Sequence, residues 1–206
     1  MTTPIVGTDE AGVAQSATCI RAGGTLVYPT ETVYGIGGDA LDAGVMECIR
    51  TLKGSDADKP MLVLTDEWAR VSDWFAEVSE ALRRLMVHQS ALPITHLVTA
   101  SEKAPEALVG PEGMIGVRRT TDLFCRALIE ATDTPLLSTS ANVSGESSQA
   151  LFEDLDPAIL EGVDLAVDAG RPLTGVASTI VRVDGNGIQI VRVGAVDAQT
   201  IHKIVG

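Results

Sequence analysis

The sequence predicts an α/β fold in which a mixed parallel and antiparallel central sheet is flanked by helices. Three observations lead there. Helical apolar patterns and short apolar runs alternate from end to end. No internal repeat, low-complexity tract or Pro/Gly/Ser linker interrupts them, so a single domain over residues 1–206 is expected. Near the C-terminal end, two apolar runs flank Asp184-Gly185-Asn186-Gly187, a hairpin signal. A hairpin is antiparallel while βα alternation favours parallel pairing, so the sheet should carry both.

Residues 9–22 pattern as a helix with Val13, Ala17 and Ile20 on its apolar face, and Gly23-Gly24 supplies its stop. A strand follows at residues 25–28. Pro29 cannot donate to a sheet ladder, so the chain should leave the sheet there, in a turn that runs to Gly38. Residues 45–52 read as a helix, 61–64 as a buried strand and 67–87 as one or two amphipathic helices. Strands are expected at 94–99, 115–117 and 136–138, with a helix from its N-cap Asp122 to Ala131 between the last two. The hairpin strands are 179–183 and 188–193.

Composition narrows the function classes. With 45% hydrophobic residues among 206, the chain can bury a substantial core, and disorder as its main state is excluded. No stretch approaches the apolar length of a membrane span, and Met1-Thr2-Thr3-Pro4 lacks the basic and apolar regions of a secretory signal, so a cytoplasmic location is expected. The net charge of −13 opposes nonspecific binding to nucleic acid. Cys19, Cys48 and Cys125 lie far apart without CxxC or HxxxH spacing, which argues against a disulfide framework or structural zinc. His88, His96 and His202 form no ligand or triad spacing and read as surface or core residues.

Four polar clusters fall at predicted strand ends, where α/β folds place ligands. The segment Pro29 to Gly38 offers the hydroxyls of Thr30, Thr32 and Tyr34 beside Gly35, Gly37 and Gly38, which allow close backbone approach; its plainer reading is a simple turn. The loop from Lys53 to Pro60 brings Lys53 and Lys59 together with Gly, Ser and Asp, a chemistry suited to polyphosphate, or to a solvated loop. Arg118 closes an apolar strand, where a guanidinium can fork onto a carboxylate or make a structural ion pair. The run Ser138-Thr139-Ser140-Ala141-Asn142-Val143-Ser144-Gly145 is long for a capping segment and favours ligand binding.

Read in order, these clusters resemble the YrdC-type threonylcarbamoyl-AMP synthase family across nearly the whole chain. The resemblance rests on Pro29-Thr30-Glu31-Thr32-Val33-Tyr34-Gly35, on Ser140-Ala141-Asn142-Val143-Ser144-Gly145, and on the tail Ser178-Thr179-Ile180-Val181 followed by Val191-Arg192-Val193-Gly194. It implies a twisted, YrdC-like sheet around a concave cavity, and an ATP-using nucleotidyltransferase that condenses L-threonine, bicarbonate and ATP, with Mg²⁺ accompanying the nucleotide and no resident metal. The product would pass to proteins that modify tRNA. Carried onto this chain, Thr30, Arg118 and Ser138 correspond to threonine contacts. Lys53, Lys59, Ser140, Asn142, Ser148 and Arg192 correspond to nucleotide contacts, and Lys53 also takes the catalytic place.

The chain departs from the family pattern at several points. Lys53-Gly54-Ser55 stands where Lys-x-Arg is usual, Lys59 where Asn is frequent, Leu64 where His is frequent, and Ala177 where a Glu is expected before Ser178. Ser90-Ala91-Leu92-Pro93-Ile94-Thr95 stands for Trp-Pro-Gly-Pro-x-Thr. These departures leave a divergent paralogue as an alternative. The sequence stops soon after Arg192, so the added C-terminal domain of longer family members is not expected. A second reading, an RNA-binding module using the same cavity with weak RNA contact, is disfavoured by 3% aromatic residues and dispersed Lys and Arg.

Overall fold

The computed structural model describes residues 2–54, 61–88, 92–110, 112–184 and 187–206. Helix α1 (Glu10–Arg21) starts where Asp9 accepts the Gly12 N–H, and the chain turns away through Gly23 at φ 76°. Strand β1 (Ile5–Val6) precedes it, and β2 (Leu26–Tyr28) and β3 (Gly35–Asp39) follow. Next come α2 (Ala43–Lys53), β4 (Leu62–Thr65), α3 (Glu80–His88), β5 (Ile94–Thr99) and β6 (Met114–Arg119). Helix α4 (Leu123–Thr132) is capped by Asp122, as its sequence predicts, through a bond from the Cys125 N–H. Strand β7 (Leu136–Ser140), α5 (Pro157–Glu161), β8 (Leu165–Val167), the hairpin β9 (Thr179–Asp184) and β10 (Gly187–Arg192), and α6 (Ala198–Val205) complete the order.

The described strands form one ten-stranded sheet in the order β1-β8-β2-β3-β7-β4-β6-β5-β9-β10. It is mixed: β4 pairs parallel with β6, and β5 parallel with β9, while β2–β3, β3–β7, β4–β7, β5–β6 and β9–β10 are antiparallel.

Two expectations are corrected. The Pro29 to Gly38 segment is not a turn throughout: its last residues form β3, buried between β2 and β7. Glycine is depleted in strands because it loses most entropy and packs nothing. Here the missing side chains have a use. A Cβ on Gly37 would fall 1.7 Å from the Leu137 carbonyl oxygen and 2.9 Å from the Tyr28 hydroxyl. Tyr28 donates to that same carbonyl at 3.0 Å, reaching from β2 past β3 to β7, and bare glycine in β3 leaves it room. Burial pushes the Tyr28 hydroxyl far above its ordinary pKa, so it remains a neutral donor. The second correction concerns residues 67–87, where two 3₁₀ turns, Trp68–Arg70 and Ser72–Trp74, precede the single helix α3.

Register places the helices. On one face of the sheet, Val27, Ile36, Val63, Val117, Leu137 and Val181 pack with Val45 and Ile49 of α2, Leu82 and Leu85 of α3, Ile159 of α5 and Ile201 of α6. On the other face, Leu26, Tyr28, Leu64, Leu136 and Leu165 pack under Ala17 and Ile20 of α1 and Phe124, Leu128 and Ile129 of α4. That second cluster stops partway across the sheet, and beyond it the face is open.

Candidate functional site

The open part of that face is a cavity of about 500 Å³, within the range of about 300–1,000 Å³ usual for small-molecule sites. Its floor continues the rows of the packed half. Leu64 and Leu136 belong to the core; two residues along the same strands, Leu62 and Ser138 line the cavity, and they are register partners. Gly116 pairs with Leu62 and with Leu97, and Thr95 pairs with Ile180, all on the cavity wall. Along β5 and β6, alternation therefore assigns one residue in two to the site: Thr95 and Leu97, Gly116 and Arg118.

Of the residues singled out from the sequence, Thr30, Arg118, Ser138, Ser140, Asn142, Ser148 and Arg192 all line this one cavity. Lys53 is buried and lies off the wall; its ammonium donates to the Ser140 carbonyl, and its own carbonyl accepts from the Ser144 N–H at 3.2 Å. Lys53 thus supports the loop that leaves β7. Asn142 holds the same loop, with Nδ2 donating to the Val143 and Glu146 carbonyls at 2.8 Å each. Lys59 lies outside the described residues.

At one end of the cavity, the turn after β2 faces the end of β6. The Thr30 hydroxyl donates to the Val33 carbonyl at 2.7 Å and accepts the N–H groups of Thr32 and Val33. Its proton is committed, so the 2.9 Å contact between Thr30 and Thr32 hydroxyls has Thr32 as donor. A lone pair of Thr32 then receives Nη1 of Arg118 at 3.3 Å. Arg118 is 4% exposed, and its Nε lies 3.2 Å from Oε1 of Glu31.

At the other end, Nη2 of Arg192 donates to the Ser178 carbonyl at 2.9 Å and lies 3.4 Å from its hydroxyl. That hydroxyl is 2.9 Å from the Thr95 hydroxyl, and both are buried. Arg192 holds its proton less firmly than an ordinary arginine, first through burial and then through the nearby charge of Arg118. Thr95, Ser178 and Glu31 belong to sequence motifs that by themselves assign them no site role. Their signal is position: Thr95 stands at the start of β5, Ser178 immediately before β9, and Glu31 between two hydroxyls in the turn.

A sheet face half covered by helices, with two arginines and a row of hydroxyls on the bare half, defines an α/β protein with a preformed polar cleft. The chain belongs to the Sua5/YciO/YrdC family: the model of Sua5_yciO_yrdC, described as telomere recombination, matches residues 18–194. A threonylcarbamoyl-AMP synthase of Xylella fastidiosa (strain M12) is 31% identical over 167 residues, which is 80% of this chain and 88% of the relative. One from Pyrococcus abyssi is 27% identical over 198 residues, 96% of this chain, and the chain spans 58% of that relative's length. The crystal structure of P. abyssi Sua5 complexed with L-threonine superposes with a TM-score of 0.90 at 27% identity, covering 99% of this chain and 61% of that one. No helix among the described residues is long and apolar enough to cross a membrane.

Proposed function

We propose that this chain condenses L-threonine, bicarbonate and ATP into threonylcarbamoyl-AMP and pyrophosphate. The observation that carries the reading is the meeting of the Arg118 end and the Arg192 end in one cavity, in a fold shared with a relative crystallised with L-threonine. The threonine amine captures bicarbonate as a carbamate with loss of water. A carbamate oxygen then forms a bond to the α-phosphorus, and the bond to the β-phosphate oxygen breaks, its electron pair leaving with pyrophosphate. Both the carbamate and the acyl-adenylate hydrolyse in water, so catalysis rests on orientation and on limiting water access.

In this reading Arg118 takes the threonine carboxylate, with the hydroxyls of Ser138 and the Thr30 turn beside it. Arg192, Ser140 and Ser148 take the nucleotide, and Lys53 and Asn142 keep the Ser140 loop in place for it. Fixed donors of this kind stabilise charge that develops on the phosphates. Mg²⁺ enters as part of the ATP substrate; among the described residues no group of three or more His, Cys, Asp and Glu could hold it apart from the nucleotide. The product is then consumed by proteins that modify tRNA. Pyrophosphate release, measured with and without threonine and bicarbonate, tests the reading. Release should require both; a rate indifferent to either one rules the synthase out.

A further inference from the structure

Glu31 is a carboxylate for which the proposed chemistry has no use. Its Oε1 lies 3.2 Å from Nε of Arg118, yet both atoms are buried without a hydrogen bond, so the charges touch while the N–H is not aimed at the oxygen. Oε2 accepts from the Thr120 hydroxyl at 2.7 Å. Thr120 is itself anchored: its N–H donates to the Thr65 carbonyl and its hydroxyl accepts the Asp122 N–H. Glu31 is therefore clamped beside Arg118 from the β6 exit. The one hydrogen bond the guanidinium donates, among the described residues, is the long one from Nη1 to Thr32.

Arg192 differs. Its hydrogen bonds go to Ser178, and among the described residues no carboxylate pairs with it. Among the described residues, charge is thus uneven at the two guanidiniums: Arg118 is compensated at contact by Glu31, whereas Arg192 is not, and the cavity's other carboxylate, Glu146, is exposed and pairs with neither. The uncompensated charge is the one a polyphosphate seeks.

We propose that Glu31 sorts the two ligands of this cavity. By compensating Arg118 it makes that end neutral overall, so that a zwitterionic amino acid is accepted there and phosphate is not. The misaligned contact suits the task. Coulomb attraction needs proximity and not alignment, so Glu31 cancels charge while Nη2, which makes no hydrogen bond among the described residues, remains a donor for a carboxylate. Without Glu31, two bare guanidiniums would share one cavity, and a triphosphate could settle on either.

This inference rests on threonine and ATP sharing the cavity. Calorimetric binding of threonine and of pyrophosphate, each alone and then against the other, tests it on the wild-type chain, Glu31→Gln and Glu31→Asp. The wild type should bind both, with neither displacing the other. Glu31→Gln should let pyrophosphate compete with threonine, raising pyrophosphate affinity at the Arg118 end by roughly tenfold, while Glu31→Asp, which keeps the charge, should suppress that competition. If Glu31→Gln fails to fold, Thr120→Val replaces it, since it frees the carboxylate without removing it; partial competition is then expected. Pyrophosphate that fails to compete in the folded variant overturns the sorting role alone. A wild-type chain that binds no threonine overturns the synthase reading together with it.

Discussion

The packed half and the open half of the same sheet face share strands β4 and β7, and along these the change between them takes two residues. Beneath α1 and α4 the face presents Tyr28, Leu64 and Leu136; beyond the helices it presents Leu62, Gly116, Ser138 and Thr95. Arg118 pairs in register with Leu64, so the guanidinium stands at the border, with apolar core on one side and cavity on the other. The site is thus the part of a core face that two helices leave bare, furnished with small and polar groups. Its rigidity comes from the packed half, to which every one of its inner strands is laddered.

The most damaging way to break this arrangement is Gly37→Val. Its Cβ would sit 1.7 Å from a backbone carbonyl and crowd Tyr28, neither of which can move without parting β3 from β7. We expect a loss of more than about 4 kcal/mol, visible as an unfolded circular dichroism spectrum. Next comes a matched pair. Leu128→Ala, in the packed half, should cost about 2–5 kcal/mol of stability and leave threonine affinity unchanged in the folded fraction. Arg118→Ala, at the border, should cost about 2–5 kcal/mol of threonine binding, read by calorimetry. Equal losses of affinity in both variants would erase the distinction between the halves.

The opposite face sharpens the contrast through its polar exception. His96 is 1% exposed, its ring stands edge-on to Trp68 at 5.4 Å, and burial lowers its pKa to about 4. The unfolded chain, with an ordinary histidine, binds a proton that the folded one refuses between these values. Stability should therefore be lost as pH falls from about 6.5 towards about 4, by roughly 3 kcal/mol in all. Denaturant midpoints across that window, compared with those of His96→Phe, measure it; an undiminished slope in the variant would assign the acid sensitivity to other groups. The smallest effect on stability is expected at Gly116, where a Cβ would meet only Leu97 at 3.3 Å and Leu62 at 3.5 Å. Gly116→Val should change stability by less than about 1 kcal/mol while filling the cavity floor and abolishing ligand binding.

Much of this was legible in the sequence because the site lies at strand ends. Arg118 closing an apolar run and the hydroxyl-rich stretch after Leu137 are local signals, and the hairpin around Asp184 to Gly187 forms as its turn chemistry predicts, with β9 and β10 antiparallel. Strand β3 was not legible. Its glycines obey tertiary demands that no propensity encodes: Gly35 and Gly37 lie against Tyr28, and Gly38 against Val45 and the Gly24 carbonyl. The short β8 draws its stability from the strands it joins, and the helices α5 and α6 from the sheet they cover; their local patterns are too brief to announce them. The partnership of Glu31 with Arg118 was hidden for another reason: the two are far apart in the chain, and only the fold shows which acid an arginine meets.

The hairpin that carries Arg192 has a consequence for motion. Strand β10 is laddered on one side only, against β9, and β9 in turn joins the sheet through β5. Outward amides of an edge strand exchange with solvent, and an edge hairpin opens at lower free energy than the strands behind it. Arg118 is fixed to an interior strand, so the two ends of the cavity differ in tempo as well as in charge. The Arg118 end is held at the stability of the whole sheet, and the Arg192 end can loosen with the hairpin; under the proposed function, that gives pyrophosphate a way out that leaves the fold intact.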